Sequence, residues 1–282
     1  MSWREAATYW IQFQVTGARY RQSMQTGFRP LGTFGLDQTG TCGLCGVYGR
    51  LSVTHVPPHG AGNDQAAATM GTRADEGLAR VQPGTYRDGG VWKWLLCEVC
   101  NMKVGRYDEE FIRWWRMLWE RWSDKTVPKP GAVGTLNFTM AKPGAFIRSV
   151  VGGMFAMNPH LRPRYPDVAE AILRDDPVAM PSDLCLQMSL FFHGFRYVIG
   201  QTMVGVSAPD FSSTTSLNVE GEWAWPPFCL ALVDPNGSDS RAGAMDISAW
   251  MLETSQVVRD VKLKLGVLGA DEPYMSRFRN EP

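Results

Sequence analysis

Two C-x-x-C pairs limit the fold of this chain more than any other feature of its sequence. The first pair is Cys42 and Cys45, and the second is Cys97 and Cys100. Zinc prefers four thiolate or imidazole ligands in a tetrahedron, and each C-x-x-C pair supplies two of them on one tight turn. Gly46, directly after the first pair, allows that turn to fold back on itself. The sequence therefore predicts a structural Zn²⁺ site that is closed to substrate.

Cysteine usage and hydrophobicity favour a cytoplasmic protein. In a reducing compartment, paired cysteines at this spacing are metal ligands rather than disulfides. The sequence has no run of about 20 apolar residues, which a membrane helix needs, and polar residues interrupt the segment 1–15 where a signal peptide would be apolar. The formal net charge is zero, so charge alone does not indicate a polyanionic partner. We expect no membrane partner.

A segment rich in proline and glycine predicts a boundary between two domains. Pro128, Pro130 and Gly131 lie close together, and such residues cannot continue a helix. The length of 282 residues also suits two domains of ordinary size. We therefore expect a zinc-binding module over residues 1–128 and an accessory domain of unknown role, a candidate site for a protein partner, over residues 129–282.

Hydrophobic periodicity predicts an α+β fold, in which the zinc module is followed by a mixed α/β domain. Around the cysteines, the predicted elements are a hairpin over 47–56, a long mobile loop over 60–90, a strand over 91–96 and an amphipathic helix from residue 108. Further along, they are helices over 146–157, 168–173 and 247–263 and buried strands over 190–207 and 228–233. Residues 3–16 fit a helix and a strand equally well.

Two polar residues are placed between or directly after the cysteine pairs. His55 lies at the end of the predicted hairpin, before two prolines, and Asn101 directly follows the second pair at the head of a helix. With the two C-x-x-C turns, this order of motifs resembles the HNH nuclease family, whose fold is a treble-clef, ββα-metal module. Gly105 and Tyr107 are similar to the residues that follow the second pair in one branch of that family. The resemblance covers residues 41–111.

The resemblance implies a metal-dependent endonuclease that hydrolyses phosphodiester bonds in nucleic acid, with DNA as the expected substrate. His55 would be the general base, because an imidazole with a pKa of about 6.5 can abstract a proton at neutral pH. Asn101 would bind a catalytic Mg²⁺ or Mn²⁺ ion through its side-chain oxygen. The residues alone leave two alternatives open: His55 as a partner of a backbone carbonyl, and Asn101 as a helix cap. Phage or mobile-element biology and host defence would all fit.

Thr54 departs from the commoner family pattern, in which an acidic residue precedes the histidine and binds the metal. A hydroxyl is a weaker, neutral ligand, so another residue must hold the ion if the centre is active. His59, Asn63 and Asp108 are the candidates, although His59 also fits a solvated loop position. The second hypothesis is therefore a catalytically inactive, zinc-stabilised module that binds nucleic acid or protein.

Basic residues near the second cysteine pair are candidates for contacting phosphates. Of these, Lys103 and Arg106 are the two that we assign to nucleic-acid binding. The tryptophan-rich helix that follows is predicted to be a packing face rather than a base-stacking surface. In the second half, His160 is isolated in the sequence, and Cys185 and Cys229 lie among large apolar residues, as buried thiols do.

Overall fold

The structure is a computed structural model with a mixed α/β fold, which confirms the predicted fold class. It describes residues 38–64, 67–75, 78–87, 90–123, 129–192, 196–199, 202–204, 217–235 and 243–269. The segment 3–16 lies outside these ranges, so the choice there between helix and strand stays open. No helix within them combines the length and the apolar composition that crossing a membrane would require.

The described ranges contain four α-helices and fourteen strands. The helices are α1 (Glu98–Ser123), α2 (Pro143–Met157), α3 (Leu161–Arg164) and α4 (Pro166–Arg174). The strands are β1 (Thr39–Thr41), β2 (Tyr48–Arg50), β3 (Ser52–His55), β4 (Ala67–Asp75), β5 (Leu78–Arg87), β6 (Trp92–Leu96), β7 (Val133–Ala141), β8 (Cys185–Phe191), β9 (Tyr197–Ile199), β10 (Thr202–Val204), β11 (Leu217–Trp225), β12 (Phe228–Val233), β13 (Met245–Asp246) and β14 (Arg259–Leu268). Short 3-10 helices occupy His59–Ala61 and Ser248–Leu252.

Three sheets organise the described strands. β1 pairs with β2, β3 pairs with β6, and a ten-stranded sheet has the order β5-β4-β9-β11-β12-β8-β14-β7, with β10 beside β11 and β13 beside β8. Most pairs are antiparallel, whereas β14 with β8 and β4 with β9 are parallel. Helix α2 packs against both α1 and strand β12. It therefore lies between the helix that follows the second cysteine pair and the large sheet.

The region around the cysteines is a ββα unit in which β3 and β6 are antiparallel and α1 begins directly after β6. His55 pairs with Trp92, and Thr54 pairs with Lys93. The predicted strand over 91–96 is confirmed. The predicted hairpin over 47–56 is wrong, because β2 pairs with β1 while β3 pairs with β6. A single residue, Leu51, separates β2 from β3, so the chain passes there from one small sheet to another.

Three other predicted elements differ in the structure. The segment 60–90, predicted as a long loop, contains the paired strands β4 and β5. The helix predicted over 247–263 is wrong: a short 3-10 helix ends at Leu252, and strand β14 begins at Arg259. Along β14, Val261, Leu263 and Leu265 are buried while the two lysines between them are exposed, which is the two-residue alternation of a strand. The predicted strand over 190–207 is divided among β8, β9 and β10.

Helices α2 and α4 confirm the predicted helices near 146–157 and 168–173, and β12 confirms the strand over 228–233. The packing face of α1 is also confirmed, because Phe111, Trp115 and Leu118 are buried. Trp114 stacks on Phe138, with ring centroids 3.8 Å apart. Since Phe138 lies in β7, described residues on both sides of the boundary predicted at residue 128 contribute to one hydrophobic core.

Candidate metal centre and adjoining cavity

The four predicted zinc ligands lie together at the start of the ββα unit. The sulfur atoms of Cys42, Cys45, Cys97 and Cys100 all lie within 4.8 Å of one another, and the sulfurs of Cys45 and Cys97 are 3.9 Å apart. A tetrahedral ion with metal–sulfur bonds of about 2.3 Å separates its ligands by about 3.8 Å. The cluster can therefore hold a metal ion such as zinc.

The ionisation of these thiols also fits a cationic ligand. A hydrogen bond from Cys100 is the main influence that lowers the pKa of Cys42, to about 4, and backbone N–H groups contribute further. The backbone N–H of Cys97 is 3.4 Å from the Cys42 sulfur. The same contact with Cys42 raises the pKa of Cys100. Because four thiolates this close repel one another, full deprotonation needs a compensating cation.

The first cysteine turn, Cys42–Gly46, is held by its own backbone and by helix α2. Gly46 has a φ of +75°, and its N–H donates to the Cys42 carbonyl at 2.9 Å. Gly43 donates to the carbonyl of Leu95 in β6 at 3.1 Å. A Cβ atom at Gly43 would lie 2.7 Å from the carbonyl oxygen of Phe155. The turn thus packs directly against the C-terminal end of α2.

A cavity of about 250 Å³ adjoins the ββα unit. Its walls come from β3, from the 3-10 helix after β3, from α1 and α2, and from Trp223 in β11. The polar residues that line it are Thr54, His55, His59, Asn101, Asp108 and Ser149. The structure therefore brings together every predicted catalytic or catalytic-ion residue except Asn63.

Two histidines lie on one side of this cavity. His55 ends β3 and is half-buried, whereas His59 is exposed at the following 3-10 helix. Their ring centroids are 5.0 Å apart in an edge-to-face arrangement. Burial, and secondarily the charge of His59, lower the pKa of His55 from 6.5. This shift favours the neutral imidazole, which is the form that can accept a proton.

Asn101 ties helix α1 to the strand that carries His55. Its Nδ2 atom donates to the backbone carbonyl of Val53 at 2.8 Å. Asn101 is the fourth residue of α1, whose first residue is Glu98, so the helix-cap alternative is wrong. With Nδ2 engaged by the strand, the amide oxygen is the atom of this side chain that could act as a metal ligand.

The acidic residue in the cavity is Asp108, which comes from α1. Burial raises the pKa of Asp108 to about 7, and a hydrogen bond from Ser149 opposes that shift. The Ser149 hydroxyl is 2.7 Å from Oδ1 of Asp108. Thr54 is buried, and its hydroxyl is 3.5 Å from the carbonyl of Ser52. Asp108 is therefore the carboxylate that this site offers, where Thr54 offers only a hydroxyl.

Asn63 has a different environment from the other predicted residues. It is fully buried, and its Nδ2 atom donates to the carbonyls of Pro57 and Val91. Its Oδ1 atom accepts a hydrogen bond of 2.6 Å from the N–H of Val91. Both amide atoms are used to join the loop after β3 to the start of β6. The structure places Asn63 outside the cavity, as a connector of backbone segments rather than a metal ligand.

Lys103 and Arg106, predicted to contact phosphates, are both exposed on α1. Between them in the sequence, Gly105 lines the cavity. The guanidinium carbon of Arg106 lies 4.7 Å from the centre of the Tyr107 ring. Tyr107 is itself buried and donates to the carbonyl of Ile172 at 2.7 Å. Arg106 is thus an exposed cation, next in sequence to a cavity-lining residue, whose guanidinium lies over a buried aromatic ring.

Sequence reasoning missed Ser149 and Trp223. Both come from the second half of the chain, outside the motif that resembles HNH nucleases, and a single serine or tryptophan carries no spacing signal. Trp223 is buried, and its Nε1 atom has no hydrogen-bond partner within the described part of the chain. His160 is isolated in the sequence, but its Nε2 atom lies 2.8 Å from Oε2 of Glu220 in the structure. Cys185 and Cys229 are buried, as predicted.

The four-cysteine cluster offers more metal ligands at short range than the cavity does. Within the ranges that the structure describes, it is the one group of three or more His, Cys, Asp or Glu residues whose ligand atoms lie within 4.8 Å of one another. An ion in the cavity would therefore take few ligands from the described residues. Comparison with protein-family models, with curated proteins and with solved structures gives no match to this chain.

Proposed function

We propose that this chain is a metal-dependent endonuclease of the HNH type, which hydrolyses phosphodiester bonds in DNA. One observation carries the proposal: His55, Asn101 and Asp108 line one cavity, and Asn101 directly follows Cys100 of the four-cysteine cluster. A general base, a neutral oxygen ligand and a carboxylate are the groups that metal-assisted phosphodiester hydrolysis uses.

His55 is the proposed general base. Its neutral imidazole takes a proton from the attacking water as the water oxygen bonds to phosphorus. The bond from phosphorus to the leaving sugar oxygen breaks, and that oxygen is protonated from solvent. A positioned base contributes about 10²- to 10⁴-fold to such a rate. The bond from Asn101 to Val53 supports this role, because it fixes the strand two residues before His55.

Asp108 is the proposed acidic ligand of a Mg²⁺ or Mn²⁺ ion, with Asn101, His59 and Thr54 as the other protein groups available to it. The ion would neutralise charge that develops on the phosphate. Magnesium sites commonly use one or two carboxylates and complete their coordination with water and substrate phosphate. A single carboxylate at this cavity is consistent with that pattern.

The four cysteines have a structural role in this proposal. A Zn²⁺ ion with four thiolate ligands has no open position for substrate. It would join the first cysteine turn to the start of α1, the helix that carries Asn101 and Asp108. Lys103 and Arg106 would contact backbone phosphates of the nucleic acid, which supply much of the affinity of such complexes.

The test is cleavage of a supercoiled plasmid with Mg²⁺ or Mn²⁺, compared with cleavage of a single-stranded RNA. We expect wild-type protein to cut the plasmid, and His55→Ala and Asn101→Ala to lose at least about 100-fold in rate. Met102→Ala is the matched control, since Met102 is exposed and lies on the same turn of α1 as Asn101. Its rate should equal that of the wild type.

Two results would contradict the proposal. Equal cleavage by wild type and His55→Ala would remove His55 from the mechanism. Absence of cleavage with every divalent ion, together with retained nucleic-acid binding and one tightly bound zinc, would instead support an inactive, zinc-stabilised binding module. Cleavage confined to RNA would change the substrate and leave the mechanism intact.

A further inference from the structure

Asp108 is joined to the second half of the chain by one short hydrogen bond. Its partner, Ser149, lies in α2 and is 2% exposed. The Ser149 hydroxyl is 2.7 Å from Oδ1 of Asp108, and both residues line the cavity. Asp108 therefore reaches the cavity from one helix and is held there by the neighbouring one.

The position of Ser149 depends on a face of small residues on α2. Gly152 and Gly153 lie three and four residues after Ser149, so each shares a side of the helix with it. A Cβ atom at Gly152 would lie 3.1 Å from the side chain of Val104 in α1. A Cβ atom at Gly153 would lie 2.6 Å from the ring of Trp223. This close packing leaves the Ser149 side chain little freedom to move relative to Asp108.

A hydroxyl that donates to one carboxylate oxygen restricts the rotation of the carboxylate. It also occupies one lone pair of Oδ1, so that Oδ2 is the oxygen with the greater remaining capacity for a ligand. At metal sites, groups that orient a ligating side chain in this way typically change metal affinity by about 10- to 100-fold when they are removed. The hydrogen bond from Ser149 to Asp108 is a contact of this kind.

We propose that Ser149 is a positioning residue, which orients Asp108 so that Oδ2 binds a divalent cation in the cavity. This inference rests on the proposed function for the presence of the cation, but it concerns cation affinity rather than cleavage. It also gives the second half of the chain a defined part in the site. In this view α2 supplies a group that the ββα unit lacks.

The experiment measures Mn²⁺ binding by electron paramagnetic resonance, with zinc-loaded full-length protein and no nucleic acid. We expect Ser149→Ala to weaken Mn²⁺ binding by about 10-fold or more, and Asp108→Asn to weaken it further. The double variant should bind no more weakly than Asp108→Asn, because the serine acts through the carboxylate. Ser149→Thr, which retains the hydroxyl, should restore most of the affinity.

Ser189→Ala is the matched control for loss of a buried hydroxyl. Ser189 is 1% exposed, lies in β8, and has no hydrogen-bond partner for Oγ within the described residues. The Ser189→Ala variant should bind Mn²⁺ with the same affinity as the wild type. Thermal unfolding of each variant checks that the binding differences do not arise from unfolding.

The outcomes separate this inference from the proposed function. Unchanged Mn²⁺ affinity in Ser149→Ala, or additive losses in the double variant, would overturn the role of Ser149 even if the protein cleaves DNA. The predicted Mn²⁺ series without any cleavage would support the role of Ser149 and contradict the nuclease proposal. A wild-type protein that binds no Mn²⁺ would overturn the inference.

Discussion

Replacement of Arg148 with methionine should destabilise the protein strongly. Arg148 lies in α2 with no exposed surface. Its guanidinium donates to the carbonyls of Gly144 at 3.0 Å, of Asp176 at 2.6 Å and of Glu253. Its Nε atom is 3.2 Å from the carboxylate of Asp175. One side chain thus joins α2, the end of α4 and the segment before β14.

The expected loss comes from the groups that Arg148 leaves behind. Methionine fills a similar volume but donates no hydrogen bonds, so three carbonyls would lose a charged donor. The Asp175 carboxylate would lose its countercharge, although Ser255 still donates to it through N–H and Oγ. Breaking a buried ion pair typically costs about 3–5 kcal/mol. For a protein of 282 residues, whose unfolding entropy is about 0.6 kcal/mol/K, that loss lowers Tm by about 5–8 °C.

Urea denaturation followed by circular dichroism measures this loss, with Arg259→Met as the matched control. Arg259 pairs with the carboxylate of Glu253 at 2.8 Å, but its side chain is 42% exposed. Exposed pairs contribute about 0–1 kcal/mol, so the same substitution should have little effect there. If Arg148→Met lies within about 1 kcal/mol of Arg259→Met, the inferred role of the buried network is wrong.

Three further predictions concern the metal centre and its surroundings. Cys97→Ser should lose bound zinc in metal analysis because it removes one of four thiolates, whereas His55→Ala should retain it; equal zinc content in the two variants would contradict this. Gly43→Ala should cost about 1–3 kcal/mol in urea denaturation, because its Cβ would lie 2.7 Å from a carbonyl of α2. Gly49→Ala, where the Cβ meets no atom of the described residues within 4 Å, is the control, and matching values would refute the steric argument. Asn63→Ala should cost about 2–4 kcal/mol through buried backbone groups left without partners, and a loss below that range would mean that other groups or water replace the amide.

Local patterns predicted the elements in which one sequence signal dominates. The C-x-x-C spacing predicted the cysteine cluster because metal ligands need fixed short separations. The helical spacing of Phe111, Trp115 and Leu118 predicted the buried face of α1, since those positions recur on one side of a helix. The two cysteines of each pair are close in sequence, and the apolar residues of α1 follow a strong helical periodicity.

Elements that depend on pairing with distant segments were not predictable in the same way. Strands β4 and β5 consist largely of small and polar residues, which carry little hydrophobic signal, and they are defined by pairing with each other and with β9. The bond between Asp108 and Ser149 joins residues 41 positions apart. It arises from the packing of α1 on α2, which no local pattern encodes.

Helix α1 has consequences for any attempt to divide this protein. Cys100 at its start belongs to the cysteine cluster, Asp108 lines the cavity, and Trp114 lies in the core against Phe138 of β7. A fragment ending at residue 128 would expose that tryptophan to water and separate Asp108 from its serine. The proposed catalytic module therefore cannot be transferred to another protein by itself. The transferred segment would have to include α2 and part of the large sheet.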